Sequence, residues 1–574
     1  MTNILLITSD QQHWSTNRPP EIQTPNLDRL ADSGTLFTRA YCPNPTCTPT
    51  RASLITGKYP GQHGAYALGT KLPEFEPTLG DLLRAGGYHS ALIGKAHFQP
   101  LRGSDEFPSQ EAYPTLQDLD HWRDFHGPFY GFDHVELARN HTDEAHVGQH
   151  YALWMEEKGL ENWRDYFQEP TGTQPPQHHQ WSLPEEYHYN TWIAERTNAM
   201  LDHYKESGGD FFLWASFFDP HPSYLVPEPW ATMYDPAALT VPQPIAGEHD
   251  ANPIHFQLTQ QTTPDFSPWE EPGGNAMHGF HSHLHDPDLL AQDIAVYYGM
   301  ISMMDKYIGV ILDHLAALGL ADDTLVVFTS DHGHVYGQHG LIAKGAFHYE
   351  DLVRVPMIVR QPGVVPAGAE SDALQSLVDY APTFLNLCGQ DIPATMTGVD
   401  QTGIWQQTGG EPRAHVIVEN RHQPTTLHAR TLVEARHKIT VYLNRDYGEV
   451  FDLEEDPDEV NNLWMIDPDL RNRLMLRLLV AEMGKEEPLT PETARWSNKA
   501  PAMYEKTLVE GRYEISVRPA DAHYTLYDLE ADPARRNNLW DKADYAEAQA
   551  TLVRELLFAR MAAEPLWMPR IAGA

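Results

Sequence analysis

The stretch NILLITSDQ, residues 3–11, is a short apolar run that ends abruptly in an acid and an amide. Three later runs end in the same way: SALIGKAH (90–97), FFLWASFFDPH (211–221) and TLVVFTSDH (324–332). Short runs rich in branched and aromatic residues are typical of strands buried on both faces of a parallel sheet. Polar residues directly after such strands meet at one edge of the sheet, where ligands of α/β proteins bind. The pattern therefore predicts one shared site.

Helical segments separate these strands. In YYGMISMMDKYIGVILDHLAAL (297–318), apolar side chains recur at helical spacing. They are Met300, Ile301, Met304, Ile308, Ile311, Leu312 and Leu315. Alternating strands and helices predict an α/β fold whose mostly parallel sheet is sandwiched by helices. We assign residues 1–410 to this catalytic domain.

Two regions of this domain are rich in Pro, His, Trp and Gly and have little periodicity, Leu101–Tyr187 and Pro227–Pro287. We interpret both as long insertions over the sheet, where specificity elements usually lie. The second contains HGFHSHLH (278–285), whose irregular spacing favours solvent-facing loop histidines over a metal site.

The remaining residues, 411–574, predict a smaller α+β region with an internal repeat. VFDLEEDPDEVNNLW (450–464) and LYDLEADPARRNNLW (526–540) align without gaps. Asp452 then corresponds to Asp528, Asn462 to Asn538, and Trp464 to Trp540. We place the two units at about 430–465 and 512–541 and expect a structural role for them.

The charge balance excludes several classes of partner. Lys and Arg total 40 against 80 Asp and Glu, a formal net charge of -40. Such a field repels polyanions, so we expect no nucleic acid partner and no long sulfated polymer. No apolar run is long enough for a membrane helix, and we expect a soluble protein without a membrane partner. The amino terminus has no basic leader, which predicts a cytoplasmic location. The ending LFARMAAEPLWMPRIAGA (557–574) is a possible surface for homo-oligomer formation.

The three cysteines are too few for a disulfide framework, and only one lies in a motif. Cys42 and Cys388 have none. Cys47 precedes Thr48 and Pro49 at a predicted helix start that continues to Gly57. Free backbone N–H groups and the helix dipole favour an anion there, and Arg51 adds a positive charge about one turn along. These features lower a thiol pKa and predict a nucleophilic group.

The string Cys47-Thr48-Pro49-Thr50-Arg51, followed by Leu54-Ile55-Thr56-Gly57, resembles the C-x-P-x-R signature of type I sulfatases. In that family a maturation enzyme oxidises the cysteine to formylglycine. Further segments resemble sulfatase segments in sulfatase order and cover nearly the whole chain. They are TPNLDRLADSGTLFTRAY (24–41), GKAH (94–97), FFDPHPSY (217–224), SDHGHVYGQHG (330–340), Lys344, RVPMIVR (354–360) and YDLEADP (527–533). The resemblance implies the fold of the alkaline phosphatase superfamily.

The resemblance also implies a set of site residues. The metal ligands are Asp10, Gln11, Asp331 and His332, with an oxygen from the modified Cys47. Arg51 and Lys95 stabilise the formylglycine hydrate, His97 helps to regenerate the aldehyde, and His221 and Lys344 hold the sulfate and assist the leaving oxygen. His334, His339 and His348 lie close by in sequence without an assigned role.

Three positions depart from the commonest sulfatase pattern. Gln11 and His332 resemble the branch of choline sulfatases and phosphonate monoester hydrolases. Because an imidazole ligand suits Mn²⁺ better than Ca²⁺, we favour Mn²⁺ and keep Ca²⁺ as the alternative. Thr50 stands where smaller residues are commoner, which bears on how efficiently Cys47 is converted.

Three functions are compatible with these residues. The first is hydrolysis of a small or aryl sulfate ester, a small-molecule substrate. The second is hydrolysis of a phosphonate monoester or phosphodiester on the same scaffold. The third is an inactive anion-binding homologue. The GKAH string favours the first, because Lys95 and His97 match the sulfatase pattern.

Overall fold

The computed structural model describes residues 2–16, 21–139, 147–167, 178–271, 280, 282, 286–422, 425–485, 505–566 and 568–571. The strands up to the end of the catalytic domain are β1 (Asn3–Ser9), β2 (Thr35–Phe37), β3 (Ala40–Tyr41), β4 (His89–Gly94), β5 (His134–Leu137), β6 (His178–Gln180), β7 (Phe211–Ser216), β8 (Tyr224–Val226), β9 (Thr324–Ser330), β10 (Val335–Tyr336), β11 (Ile342–Ala343), β12 (Arg354–Val355), β13 (Met357–Arg360), β14 (Ala369–Ser371) and β15 (Gln375–Ser376). The α-helices of the same part are α1 (Pro25–Asp32), α2 (Cys47–Thr56), α3 (Pro60–His63), α4 (Leu79–Ala85), α5 (Leu119–Asp124), α6 (Gln149–Glu157), α7 (Tyr189–Ser207), α8 (Ile254–Thr259), α9 (Leu290–Ala317), α10 (Glu350–Val353), α11 (Tyr380–Leu387) and α12 (Thr402–Trp405).

An eight-stranded sheet with the order β14-β2-β13-β9-β1-β7-β4-β5 forms the centre. The strands from β9 to β5 in this order are mutually parallel, whereas β13 runs antiparallel to both of its neighbours. The four strands predicted from the sequence are β1, β4, β7 and β9, so the prediction of a mostly parallel α/β fold is confirmed. In register, Ser9 lies beside Ser330, and Gly94 beside Ser216. The polar residues after these strands therefore share one edge.

Helices cover both faces of the sheet. Because side chains alternate along a strand, Leu5 and Ile7 of β1 face one core while Ile4 and Leu6 face the other. Helices α1, α6, α7 and α9 contribute to the first core, and α2, α4 and α11 contribute to the second. Burial on both faces explains why the strands are apolar without interruption.

The interpretation of Leu101–Tyr187 as an insertion over the sheet is wrong in one part. This region supplies β5, the edge strand that pairs with β4, and the helices α5 and α6. Strand β5 has only four residues, and two of them, His134 and Glu136, are polar. A strand this short with polar residues at an edge lacks the continuous apolar run that identified its neighbours. Most of HGFHSHLH lies outside the described residues.

The C-terminal part contains two antiparallel sheets. The first has β16 (His415–His422), β17 (Leu427–Glu434), β18 (His437–Tyr442) and β19 (Gly448–Asp452), and the second has β20 (Lys506–Glu510), β21 (Tyr513–Arg518) and β22 (His523–Asp528). Two helices, α13 (Pro468–Gly484) and α14 (Ala546–Ala562), share one apolar core with both sheets. The unit β18-β19-α13 and the unit β21-β22-α14 follow the same order, in agreement with the sequence repeat. The boundary near residue 410 stays a prediction.

After α14 the chain returns to the catalytic domain. The backbone N–H of Ile571 donates to the carbonyl of Gly69 at 2.8 Å, and Arg570 lies 3.3 Å from Glu271. Among the described residues no helix is both long and apolar enough to cross a membrane. Cys42, Cys47 and Cys388 are all free and buried.

Candidate active site

Helix α2 places Cys47 at its first position, beneath the edge where the polar residues meet. All residues of α2 are buried, and the helix ends at Gly57, whose φ of 65° favours glycine. The Sγ atom of Cys47 lies 3.2 Å from Nε2 of His332 and 3.7 Å from Oδ1 of Asp10. The helix start therefore points its thiol into a cluster of strand-end side chains.

The strand ends β1 and β9 supply a group of ligand atoms. One atom each from Asp10, Cys47, Asp331 and His332 lies within 4.8 Å of the others, and all four residues are buried. The ring Nδ1 of His332 is hydrogen-bonded to the carbonyl of Gly333 at 2.9 Å, which leaves Nε2 to face the cluster. A histidine held in this way by a carbonyl is typical of metal sites.

Gln11 lies beside this group, and its backbone N–H donates to Oδ1 of Asp331 at 3.0 Å. Its amide Nε2 is hydrogen-bonded to Nδ1 of His334 at 2.9 Å. Its Oε1 is buried and has no hydrogen-bond partner in the described part of the chain. Carboxylate and amide oxygens with one imidazole nitrogen are suitable ligands for a divalent cation, so these residues fit a metal.

Two buried cations hold the carboxylates in place. Arg51 Nε donates to Oδ2 of Asp331 at 2.8 Å, and its Nη1 donates to Oγ of Ser216 at 2.8 Å. Lys95 Nζ donates to Oδ2 of Asp10. Lys95 is placed by Gly94, where a Cβ would lie 2.0 Å from the carbonyl oxygen of Ser216. Only glycine allows this close approach of β4 to β7.

A third cation lies on the other side of Cys47. Lys344 Nζ donates to Cys47 Sγ at 3.2 Å and lies 3.1 Å from Nε2 of His221. The other ring nitrogen of His221, Nδ1, is hydrogen-bonded to the carbonyl of Pro222. With Nδ1 donating there, Nε2 accepts from the Lys344 ammonium.

Comparisons with models of protein families and with known proteins show what this chain is similar to. The family model described as Sulfatase matches residues 2–390, more than half of the chain. The protein belongs to the sulfatase family. A second model, described as N-sulphoglucosamine sulphohydrolase, C-terminal, matches residues 337–481.

Three known proteins show how far the similarity extends. An arylsulfatase of Clostridium perfringens is 27% identical and is matched over 85% of this chain and 96% of its own length. The multifunctional alkaline phosphatase superfamily protein PehA of Trinickia caryophylli is 30% identical over 69% of this chain and 75% of its own. A crystal structure of a phosphonate monoester hydrolase of Agrobacterium radiobacter superposes with a TM-score of 0.69 at 24% identity, over 86% of this chain and 99% of that one. At this identity the structural likeness shows the fold alone.

Charges couple the groups around Cys47. Burial and Asp10 raise the pKa of the Cys47 thiol, Lys344 and Lys95 lower it, and the net result is a lowered pKa. Burial lowers the pKa of Lys344, but Cys47 and Asp10 outweigh it and the pKa is raised. An anion at residue 47 and a cation at residue 344 therefore stabilise each other.

His97 lies two residues beyond Lys95 in a left-handed conformation with φ of 57°. Its backbone N–H donates to Oε1 of Glu111 at 2.7 Å, and its ring Nδ1 is buried without a hydrogen-bond partner among the described residues. Burial, together with the charges of Arg139 and Lys95, holds the pKa of His97 well below its usual value. The ring is therefore neutral.

The structure brings the predicted residues to one edge of the sheet. Cys47 contacts Asp10, His332 and Lys344 directly, and these in turn contact the next groups. The residues reached in this second step are Arg51, Lys95, His221 and Asp331. The backbone N–H of Gln11 donates to Asp331, and His97 lies two residues beyond Lys95. The roles of the site residues stay predictions.

The sequence missed several supporting residues. Glu111, Ser216 and Tyr224 were not singled out. The Tyr224 hydroxyl is hydrogen-bonded to Nε2 of His334 at 2.6 Å. His334 thus orients Gln11. His339 instead lies 3.5 Å from Asp351 and from Glu248, and His348 is hydrogen-bonded to Thr431 at 2.6 Å. Ser216 at a strand end carried a usable signal, whereas Glu111 lies in the region without periodicity.

Proposed function

We propose that this member of the sulfatase family hydrolyses a small or aryl sulfate monoester through a formylglycine hydrate derived from Cys47. The observation that carries this proposal is the placement of Cys47 Sγ, 3.2 Å from both His332 Nε2 and Lys344 Nζ. Sγ stands in for one hydroxyl oxygen of the hydrate. The similarity to an arylsulfatase supports the substrate class.

In the first step the hydroxyl at the position of Sγ loses its proton as it attacks the sulfur of the ester, and this proton balances the one that the departing oxygen takes up. The bond between sulfur and the ester oxygen breaks, and the departing oxygen takes a proton to become the free alcohol. Lys344 is the charged donor beside this position, and His221 Nε2 orients its ammonium at 3.1 Å. Preorganised cations stabilise the developing charge without rearranging.

In the second step the sulfate is released. The second hydroxyl of residue 47 loses its proton, the carbon–oxygen bond to the sulfate breaks, and the aldehyde forms again. The neutral His97 ring can accept that proton, since its low pKa keeps a lone pair free. Water then adds to the aldehyde and restores the hydrate. A serine has no second hydroxyl, so its sulfate ester would need attack by water.

Asp10, Gln11, Asp331 and His332, with an oxygen of the modified Cys47, would hold one divalent cation. When bound, such a cation acts as a Lewis acid that polarises oxygen atoms of the sulfate group. We propose Mn²⁺, because an imidazole lies among the ligands, with Ca²⁺ as the alternative. Elemental analysis of the purified protein and of Asp331→Ala tests this set. Unchanged metal content in Asp331→Ala contradicts it.

Mass spectrometry and kinetics together test the nucleophile. In protein made with a maturation enzyme, the peptide containing Cys47 should lose one sulfur and two hydrogens and gain one oxygen. Cys47→Ser should fold normally and lose turnover of 4-nitrophenyl sulfate by a factor of about 10³ or more. An intact thiol in fully active enzyme contradicts the proposal.

A second candidate function is hydrolysis of phosphonate monoesters or phosphodiesters. Gln11 and His332 favour it, as does the similarity to a multifunctional superfamily protein. We expect a higher kcat/KM for an aryl sulfate than for the phosphonate with the same leaving group. Lys95→Ala should reduce the sulfatase activity more than the phosphonate activity. If the unmutated enzyme preferred the phosphonate, phosphonate hydrolysis would become the first candidate function. Turnover of either ester excludes the inactive homologue.

A further inference from the structure

Arg139 is a charged residue at the same edge of the sheet that lies in no sequence motif, and its part in the proposed mechanism is limited to its charge, which lowers the pKa of His97. It follows β5, whose Leu137 lies in register beside Gly94 of β4. The backbone N–H of Ala138 donates to the carbonyl of Gly94 at 3.1 Å. Arg139 therefore comes next to the segment Lys95–His97, one strand further from β1 than that segment.

The Arg139 side chain is buried without a matching partner. The residue is 5% exposed, and its Nε has no hydrogen-bond partner in the described part of the chain. No hydrogen bond or ion pair joins Arg139 to another described residue. A buried charge without a partner is costly in free energy, so the burial of Arg139 requires an explanation.

Glu111 is the nearest alternative explanation, because its charge acts on Arg139. Each carboxylate oxygen of Glu111 accepts a backbone N–H, however, and no hydrogen bond or ion pair to Arg139 is seen among the described residues. Oε1 accepts from the backbone N–H of His97 and Oε2 from that of Gln99, each at 2.7 Å. Glu111 thus holds the His97 loop through these hydrogen bonds, and Glu111 and Arg139 do not form an ion pair.

A second polar side chain at the same edge also has no partner. Gln149 begins α6 and is fully buried, and neither its Oε1 nor its Nε2 has a hydrogen-bond partner in the described ranges. The next residue, His150, fixes this helix to the end of β5, because its Nδ1 accepts from the backbone N–H of Leu137 at 2.9 Å. The end of β5 and the start of α6 therefore adjoin, and each is followed or begun by a buried polar side chain with an unsatisfied atom in the described ranges.

We infer that Arg139 binds a second anionic group on the alcohol part of the substrate, either a carboxylate or a further sulfate. The inference rests on the proposed sulfate ester hydrolysis and narrows its substrate class. The transferred sulfate already has Arg51, Lys95 and Lys344 around it, and Arg139 extends from the next strand outward. An arginine can bind either oxyanion through two parallel hydrogen bonds.

Matched esters and matched variants test this assignment. The esters are 3- and 4-carboxyphenyl sulfate, 4-sulfophenyl sulfate and the neutral 4-carbamoylphenyl sulfate. The unmutated enzyme should prefer the anionic esters. In Arg139→Met the ratio of kcat/KM for an anionic ester to kcat/KM for the carbamoyl ester should fall about 10- to 100-fold, because KM for the anionic ester rises rather than because kcat falls. KM for the carbamoyl ester should not change, and Arg139→Lys should restore part of the preference.

Other results overturn the inference. An unchanged preference in Arg139→Met does so, as does an enzyme that prefers none of the anionic esters. Equal losses on all esters with a lower Tm would make Arg139 a structural counter-ion of Glu111. Titration calorimetry with 4-carboxybenzenesulfonate and 4-carbamoylbenzenesulfonate measures the same preference without turnover. If fully converted enzyme hydrolyses none of the esters, the proposed function is contradicted instead. The ratio of the calorimetric affinities for the two sulfonates still decides the role of Arg139.

Discussion

The two copies of the C-terminal repeat carry a charge pair at the same two positions with opposite polarity. In the first copy Lys438 of β18 pairs with Glu459. In the second, Glu514 of β21 lies 2.6 Å from Arg535. Glu459 and Arg535 both have a left-handed backbone, with φ of 53° and 52°. The local backbone is therefore the same whichever residue carries the positive charge.

The surroundings of the two pairs differ. The side chains of Lys438 and Glu459 are 1% and 2% exposed, and Glu459 Oε2 accepts from the backbone N–H of Glu350 at 2.6 Å. The carbonyls of the next two residues, Asp351 and Leu352, accept from the backbone N–H groups of His334 and Gly333. The first copy thus supports the loop after Asp331. The Arg535 side chain is 49% exposed, and among the described residues it shows no contact with the site.

The two copies should differ most in the stability that is lost when the cation of each pair is removed. Lys438→Met leaves Glu459 buried without its partner and should lower the free energy of unfolding by about 3–5 kcal/mol. Its turnover should fall too, because the loop after Asp331 loses support. Arg535→Met should cost less than about 1 kcal/mol and leave turnover unchanged. Urea denaturation of both variants measures the difference, and equal losses would contradict it.

Exchanging the charges within each pair should have the next largest effect. In the first copy, Lys438→Glu with Glu459→Arg places a donor against the backbone N–H of Glu350. That unpaired N–H should cost about 1–3 kcal/mol even though the ion pair is kept. Glu514→Lys with Arg535→Glu should be neutral within about 1 kcal/mol in the second copy. If neither exchange changed the free energy of unfolding, the hydrogen bond from the backbone N–H of Glu350 to Glu459 would make no net contribution to stability.

A third difference between the copies is Glu449, whose counterpart in the second copy is Thr525. Glu449 accepts from the Tyr442 hydroxyl at 3.0 Å, and burial raises its pKa to about 8. Below its unfolded pKa the carboxyl is protonated in both states. As the pH rises towards 8 the unfolded state loses its proton first, so stability falls.

Glu449→Gln should remove this pH dependence and raise stability at pH 9 by about 1–2 kcal/mol relative to the unmutated protein. Thr525→Glu should introduce a dependence of the same sign in the second copy. Thermal unfolding between pH 5 and pH 9 measures both. A parallel fall of Tm with pH in Glu449→Gln and in the unmutated protein would show that Glu449 is not its cause.

The smallest expected difference concerns one hydrogen bond. Asn462 and Asn538 each accept from two backbone N–H groups and donate to one carbonyl of their own hairpin. Only Asn462 also donates to the carbonyl of Ala251, at 3.0 Å. Asn462→Ala should therefore cost about 1 kcal/mol more than Asn538→Ala. Equal costs would mean that the Ala251 contact adds no net stability.

Local features were predictable from the sequence. The strands β1, β4, β7 and β9 were visible because residues buried on both faces form continuous apolar runs. The start of α2 was visible because Pro49 and the following residues favour a first helical turn. The repeat was visible because Asp452 and Asp528, like Asn462 and Asn538, accept the same backbone N–H hydrogen bonds in their own hairpins. The C-x-P-x-R motif then identified Cys47 as the centre of the site.

Features that depend on distant neighbours were decided by the tertiary structure. Strand β5 has no apolar run of its own, and it is a strand because it pairs with β4. That pairing places Arg139 beside Lys95 and His97, and a loop from the same region brings Glu111 to the His97 backbone. The opposite environments of Glu459 and Arg535 likewise follow from which copy meets the catalytic domain. Periodicity records which faces a segment buries, but it carries no information on which remote segment will cover them.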